Sequence, residues 1–300
     1  MKLALGPVLY YWDRESLLKF YDEIATAPVD IVYLGETVCS RRHSLRHEDW
    51  MMLADKLAAT GKEVVLSAQA LLESESDLKA LRKFTENGRY AVEANDMGAV
   101  QLLAGKTSFI IGPHINAYNP GTLGMLAELG AKRWVMPVEM SRDMLQKMQQ
   151  GKPIGVETEI FAFGRLPLAF SARCFTARHH NLPKDDCQFR CMDYPNGLTL
   201  KTREGQPFLV LNGIQTQSAS VYNLIAELGT LSGMGVDVIR ISPQAYHTEK
   251  IIDLFRRSLS DIATVRENAE QLAKWMPDNG CDGYWHGKAG LDQSAGIISR

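Results

Sequence analysis

Eight short runs of apolar or β-branched residues, separated by stretches with helical spacing, constrain the fold of this chain more than any other feature. Each run is almost continuously apolar, which is typical of strands covered on both faces in a parallel sheet. The runs cover residues 3–11, 31–34, 63–66, 91–94, 109–112, 133–136, 155–163 and 236–241.

Helical spacing follows most of these runs. Over residues 14–25, Leu17, Tyr21 and Ile24 recur on one helical face. Further helices are predicted over residues 47–60, 76–86, 122–129 and 141–149, and these stop near a glycine. Repeated strand–helix units form right-handed crossovers, and eight of them favour a (β/α)8 TIM-type barrel over an open doubly wound sheet.

The strand–helix repeat is interrupted once. We interpret residues 1–300 as one barrel domain in which residues 164–235 form an insertion after the seventh strand, with a hairpin predicted at 198–201 and 208–211. Residues 263–300 are predicted to form a helix, ending near Trp275, and a tail packed on the barrel. Insertions after barrel strands lie on the face where active sites are built.

Composition limits the possible functions. The chain is 45% hydrophobic with a mean hydropathy of −0.16, and it has no apolar run of the roughly 18 residues that a spanning helix needs. Its start lacks the apolar segment of a secretory signal, so a cytoplasmic location is expected. A net charge of −2 disfavours dedicated binding of nucleic acid.

Four of the five cysteines map to one rim of the predicted barrel. Cys174, Cys187 and Cys191 lie in the insertion, and Cys39 follows the second strand. Four thiolates suit an iron–sulfur cluster, which we prefer. Structural zinc is an alternative, although its ligands usually come in close pairs and only Cys187 and Cys191 are close. Buried, unligated thiols are the third interpretation, but the neighbouring residues are mostly polar or charged.

Other polar residues at predicted strand ends and near the cysteines are candidates for a supporting role. Basic side chains could offset the charge of a thiolate cluster or hold an anion, and barrel chemistry draws its acids and bases from strand ends. The basic candidates are Arg41, Arg42, Arg46, Arg173, Arg178 and Arg190, and the strand-end candidates are Glu36, Glu93, His114, Asn116, Glu139 and Glu159. The catalytic residues remain unassigned. The sequence has no nucleophile elbow, no dinucleotide fingerprint and no P-loop, which disfavours hydride and phosphoryl transfer.

Several segments resemble the U32 peptidase family. The segments are DIVYLG (30–35), GETVCSRR (35–42), EIFAFGRLPLAFSARC (159–174), YPNG (194–197) and LNGIQT (211–216). Within the family they are similar to members of an O2-independent ubiquinone biosynthesis system, and related motifs span the chain. Other members are associated with hydroxylation of RNA bases, so the resemblance favours oxygen insertion over proteolysis, for which the sequence offers no nucleophile.

The resemblance implies specific ligands and partners. It implies a [4Fe-4S] cluster on Cys39, Cys174, Cys187 and Cys191, with Cys281 as the spare cysteine. It implies a subunit of a ubiquinone-ring hydroxylase that forms a heterodimer with a homologous, UbiU-like subunit and works with a UbiT-like lipid carrier on ubiquinone precursors. The alternatives are a non-catalytic electron-relay or structural partner, an RNA-base hydroxylase and a peptidase.

Overall fold

The computed structural model describes residues 1–294 and contains a closed barrel of eight parallel strands. The strands of this region are β1 (Lys2–Leu5), β2 (Ile31–Leu34), β3 (Glu63–Ser67), β4 (Ala91–Ala94), β5 (Phe109–Ile111), β6 (Ala131–Val135), β7 (Glu157–Phe170), β8 (Leu198–Lys201), β9 (Pro207–Asn212), β10 (Gln215–Asn223), β11 (Val238–Ile241) and β12 (Gly280–Cys281). Strands β1 to β7 pair in chain order, and β11 closes the ring by pairing with β1 and β7. The predicted (β/α)8 fold class is confirmed.

Helices connect the barrel strands, and their starts follow from capping side chains. The helices are α1 (Arg14–Thr26), α2 (His47–Ala58), α3 (Glu75–Thr85), α4 (Met97–Leu103), α5 (Pro120–Glu128), α6 (Arg142–Gly151), α7 (Phe175–His179), α8 (Leu228–Gly233), α9 (Thr248–Ser260) and α10 (Val265–Leu272). Asp13, Ser74 and Asn119 each accept a backbone N–H of the first turn that follows. The five helices predicted within the barrel repeat are present with shifts of at most two residues at each end.

The predicted length of the first strand is wrong. Strand β1 ends at Leu5, whereas the apolar run continues to residue 11. Pro7 has no amide hydrogen, so it cannot extend the ladder after Gly6 has donated to the Ile241 carbonyl oxygen at 2.8 Å. Residues 8–12 are buried all the same, because the insertion covers them: Trp12 Nε1 donates to the Pro195 carbonyl oxygen at 2.8 Å.

The barrel interior combines an apolar layer with a charged one. The apolar layer consists of Ala4, Ile31, Tyr33, Val65, Ile110, Val135 and Val238. Four charged side chains, each at most 4% exposed, lie beside it: Glu93, Arg133, Glu159 and Arg240. Burying unpaired charge is costly, so each of these groups needs a partner: Arg240 pairs with Glu93 and Glu159, and Arg133 pairs mainly with Glu63 and Glu157.

Strand β7 carries the chain out of the barrel. It pairs with β11 as far as Phe163, and from Gly164 onward it pairs antiparallel with β10. Strands β9 and β8 extend this antiparallel sheet, and the predicted hairpin is present as β8 and β9. Strand β10 was not predicted, because its buried positions are polar: Gln217 and Ser218 are fully buried, and Ser218 Oγ accepts from Leu166 N at 2.9 Å.

The segment after the barrel packs on its outer surface and on the sheet extension. Helix α10 lies against α9, where Asn268 Nδ2 donates to Ser258 Oγ at 2.9 Å. Strand β12 pairs with β10, and Trp285 beyond it is fully buried. The predicted tail extends to residue 300, and its last six residues lie outside the described region. Among residues 1–294, no helix has both the length and the apolar composition needed to cross a bilayer.

Candidate functional site

Four of the five cysteines line one small cavity at the carboxyl end of the barrel. Cys39 lies in the loop after β2, Cys174 caps α7, Cys187 follows a 3-10 turn and Cys191 lies within the next one. All four are free thiols. The structure therefore brings together the four residues selected from the sequence, and their role as ligands stays a prediction.

The loop that carries Cys39 is held by a buried ion pair. Glu36 Oε1 accepts from the backbone N–H groups of Val38 and Cys39 at 2.9 and 3.1 Å, and it lies 3.5 Å from Arg42 Nη1. Arg42 also donates to the Leu9 carbonyl oxygen, at 2.7 Å. These bonds fix the turn on which the Cys39 thiol projects toward the cavity.

Arg42 joins this loop to the insertion. Its Nη2 donates to Asn212 Oδ1 at 2.7 Å, and its guanidinium also contacts the Cys191 thiol. Gly213 follows Asn212 with φ of +66°, and a Cβ added there would lie 2.9 Å from Arg42 Nη2. Glycine is required because it tolerates both this backbone conformation and the close approach of the arginine.

The outer wall of the cavity is built from exposed loops. Arg41 Nη2 donates to the Asp185 carbonyl oxygen at 2.6 Å, and Lys184 Nζ donates to the Ala172 carbonyl oxygen at 2.8 Å and pairs with Glu73. Phe189 has φ of +52°, the left-handed region that a bulky residue rarely adopts. Strain of this kind is concentrated at functional sites, and here it orients the turn that leads to Cys191.

Burial disfavours ionisation of the thiols. Desolvation raises the pKa of Cys39 to about 11 and also raises the pKa of Cys191, while the Arg42 guanidinium lowers both. A thiolate cluster is anionic overall, so a buried guanidinium beside it offsets charge that desolvation would otherwise penalise. The donor set and the cation beside it therefore fit an iron–sulfur group.

The cavity is not arranged around a single point. Within residues 1–294, no group of three or more His, Cys, Asp or Glu side chains surrounds a position for one metal ion. Tetrahedral zinc needs four sulfurs about 2.3 Å from one centre. The four thiols instead line one shared cavity, as the ligands of a polynuclear group would.

The other basic candidates divide by position. Arg41, Arg42 and Arg190 line the cysteine cavity, and Arg190 pairs with Asp193 at 3.1 Å. The other three are exposed, and none of them lines this cavity: Arg46, Arg173 and Arg178. Cys281 lies on β12, outside the cavity, and burial raises its pKa to about 12.

The strand-end acids Glu93 and Glu159 belong to a charged network inside the barrel. Arg240 Nε donates to Glu159 Oε1 at 2.6 Å, and Arg240 Nη2 lies 2.7 Å from Glu93 Oε1. The same guanidinium stacks 4.0 Å above the Tyr33 ring, whose hydroxyl donates to Glu159 Oε2 at 2.5 Å. Arg133 Nη1 extends the network by donating to Tyr33 Oη at 3.2 Å.

A small cavity at the barrel mouth lies above this network. His114 lines it together with Thr37 and Asn95. Burial, with a contribution from Arg240, lowers the pKa of His114 to about 4, so the ring is neutral near pH 7. Thr37 Oγ1 and Asn95 Oδ1 are buried and have no hydrogen-bond partner among residues 1–294, and both residues line this cavity.

Two strand-end candidates lie elsewhere. Asn116 is exposed, and Glu139 accepts a hydrogen bond from Tyr118 Oη. Sequence reasoning also missed residues that the structure places at the site, chiefly Arg240. A lone arginine inside the apolar run VIRI of β11 is the signal that could have identified it, because a charge in a buried strand needs partners across the barrel.

The fold and the site define a class of protein: a (β/α)8 barrel in which an insertion after the seventh strand brings three cysteines to a fourth, on the loop after β2. The chain belongs to peptidase family U32, whose family model matches residues 14–294. The solved structure of the U32 peptidase Mk0906 is similar with a TM-score of 0.45 and 11% identity, covering 81% of this chain and 93% of that chain.

Two curated relatives match part of the chain. They are both named tRNA hydroxylation protein P, from Escherichia coli (strain K12) and Haemophilus influenzae (strain ATCC 51907 / DSM 11121 / KW20 / Rd). Each is 26% identical over 171 residues, which is 54% of this chain. The match covers only 37% of the length of each relative.

Proposed function

We propose that this chain is the iron–sulfur subunit, of the UbiV type, of an O2-independent hydroxylation system in ubiquinone biosynthesis. The observation that carries the proposal is the convergence of Cys39, Cys174, Cys187 and Cys191 on one cavity. Membership of family U32 and similarity to proteins named for hydroxylation of tRNA support hydroxylation as the chemistry.

The four cysteines would hold a [4Fe-4S] cluster, which supplies electron transfer when it is bound. The residues of the chain itself have separate roles. Arg42 offsets the negative charge of the thiolates, Glu36 holds the Cys39 turn, and the contact of Arg41 with Asp185 draws the outer loop over the cavity. Together they limit access of water, on which the potential of such clusters depends.

The proposed partners are a homologous UbiU-like subunit and a UbiT-like carrier of ubiquinone precursors. Exposed apolar side chains on the cysteine-bearing segments support a protein partner at this face. Phe175 on α7 is 38% exposed and Met192 on the adjacent 3-10 turn is 40% exposed. If the partner holds the substrate, this chain serves as an electron relay within the same assembly.

Hydroxylation of an RNA base is the second candidate, because the curated relatives are named for tRNA hydroxylation. The net charge of −2 disfavours it, since binding of a polyphosphate depends on basic surface. Filter binding of total tRNA to the purified protein at low and high salt separates the two. A salt-sensitive affinity would favour the RNA substrate.

Quinone analysis tests the proposal directly. A strain that lacks this protein is grown with and without O2, and its quinone extracts are compared with those of the parent. We expect ubiquinone to disappear only in anaerobic cultures and to return when the intact gene is supplied. Loss under both conditions would indicate a general assembly role, and no loss under either would refute the ubiquinone assignment.

A further inference from the structure

A groove between α2 and α3 lies near the cysteine cavity, and the proposed cluster does not use it. It encloses about 430 Å³, within the range of about 300 to 1,000 Å³ typical of small-molecule sites. Its apolar lining consists of Leu45, Trp50, Leu72, Leu81 and Phe84. An apolar surface of this size suits a hydrocarbon chain or an aromatic ring.

The groove leads toward the cysteines. A wider depression continues from it, sharing Ser40, His43 and Gln69 with its lining. That depression ends at Lys184 and Phe189, which also line the cysteine cavity. A ligand lying along the groove would therefore have one end beside the loops that carry the thiols.

The rim of the groove carries two lysine side chains that have no ion-pair partner among residues 1–294. Lys79 and Lys83 line it and form no ion pair with any residue in 1–294. Of the acids in the lining, Glu36 pairs with Arg42, and Asp77 accepts from the backbone N–H groups of Glu73 and Ser74. Glu48 forms no ion pair within residues 1–294, so the two lysines outnumber the one free acid. An acidic group on the ligand would be attracted to this rim.

Two polar atoms in the groove lack partners. His47 Nδ1 and Gln69 Oε1 are buried and form no hydrogen bond with any group in residues 1–294. The His47 ring meets Phe84 edge to face with 5.5 Å between centroids, so the polar atom sits beside an aromatic wall. Unsatisfied buried groups are rare in folded proteins, and a polar group on a bound ligand accounts for both.

We propose that the α2–α3 groove binds an amphipathic aromatic acid, with its apolar part on Trp50 and Phe84 and its acidic group at Lys83. The binding follows from the groove alone, while identification of this ligand with the ring that is hydroxylated rests on the proposed function. A free phosphate does not fit, because it would leave the apolar lining uncovered.

Calorimetry on the anaerobically purified holoprotein tests this, with 4-hexyloxybenzoate and its uncharged amide as probes. We expect the acid to bind more tightly than the amide. Lys83→Glu should weaken binding of the acid by about fivefold or more, consistent with loss and reversal of one exposed charge interaction. Arg82→Glu is the matched control, because Arg82 neighbours Lys83 on α3 but does not line the groove.

A space-filling variant completes the test. Ala80 is exposed on the wall of the groove, so Ala80→Trp should abolish binding without disturbing the core. Unchanged affinity in Ala80→Trp, or equal affinity for acid and amide, would overturn the groove assignment. Bound iron is measured on the same samples. Binding of the acid in a protein without iron would refute the proposed cluster and leave the groove inference standing. Bound iron without binding of the acid would refute the groove inference and leave the proposed cluster standing.

Discussion

At the scale of single residues, the cysteine cavity makes a direct prediction about iron. Alanine at Cys39, Cys174, Cys187 or Cys191 should remove most bound iron, because each thiol lines the shared cavity. Cys281→Ala should retain it, since Cys281 lies on β12. Iron content and EPR spectra of anaerobic preparations are the measurements. Retention of full iron by any of the first four variants, or its loss in the control, would contradict the assignment.

Gly213 makes a second prediction at this scale. Gly213→Ala should destabilise the protein by more than the roughly 1 to 2 kcal/mol cost of a left-handed alanine, because the added Cβ also displaces Arg42. Gly205→Ala is the control: its φ is +83° and nothing lies within 4 Å of an added Cβ. Denaturant unfolding compares the two. Equal losses of unfolding free energy in the two variants would mean that the close approach of Arg42 to Gly213 does not affect stability.

At the scale of elements, the ion pairs of β11 with β4 and β7 bear on stability. Arg240→Leu leaves Glu93 and Glu159 buried without their shared cation, so a loss of about 3 to 5 kcal/mol is expected. Arg256→Leu breaks a partly exposed pair with Asp30 and should cost less than about 1 kcal/mol. Chemical unfolding measures the free energy of unfolding of both variants. Similar losses in the two variants would show that the ion pairs inside the barrel do not stabilise the fold more than an exposed pair does.

Most barrel elements could be predicted because each is coded locally. Apolar runs and glycine stops indicate strands and helices without reference to the rest of the chain. Strand β10 could not be predicted in this way, since its buried polar side chains find partners only in the folded sheet: Ser218 Oγ accepts from Leu166 N on β7, and Gln217 Nε2 donates to Gln215 Oε1. The first strand was predicted too long for a related reason: residues 8–12 are buried by the insertion and not by strand pairing.

Parts of the candidate site could likewise be predicted from the sequence, and other parts could not. The convergence of Cys39 with the insertion cysteines could be predicted, because the barrel fold alone places strand ends and their loops on one rim. Arg42 was among the basic candidates, but its bonds to Leu9 and Asn212 could not be predicted, since they join segments 33 and 170 residues away. The α2–α3 groove could not be predicted from the sequence either, because it arises from how two helices pack.

At the scale of the whole molecule, charge and surface composition point to association with protein. A net charge of −2 gives the chain no overall positive field. Helix α7 contacts the 3-10 turn at Arg190–Asp193, and each carries an exposed apolar side chain, Phe175 and Met192. Neighbouring apolar groups on an otherwise polar face are typical of an interaction site.

This surface supports a prediction about the partner. Phe175→Asp and Met192→Asp should each weaken binding to the proposed homologous subunit by about tenfold, since burying a charge at an apolar contact costs more than 1 kcal/mol. Ile154→Asp is the control: Ile154 is fully exposed before β7, at the opposite end of the barrel. Co-expressed, differently tagged subunits are purified and their dissociation constants measured. Loss of binding in Ile154→Asp alone would place the interface at the amino end of the barrel, and intact binding in all three variants would exclude both surfaces.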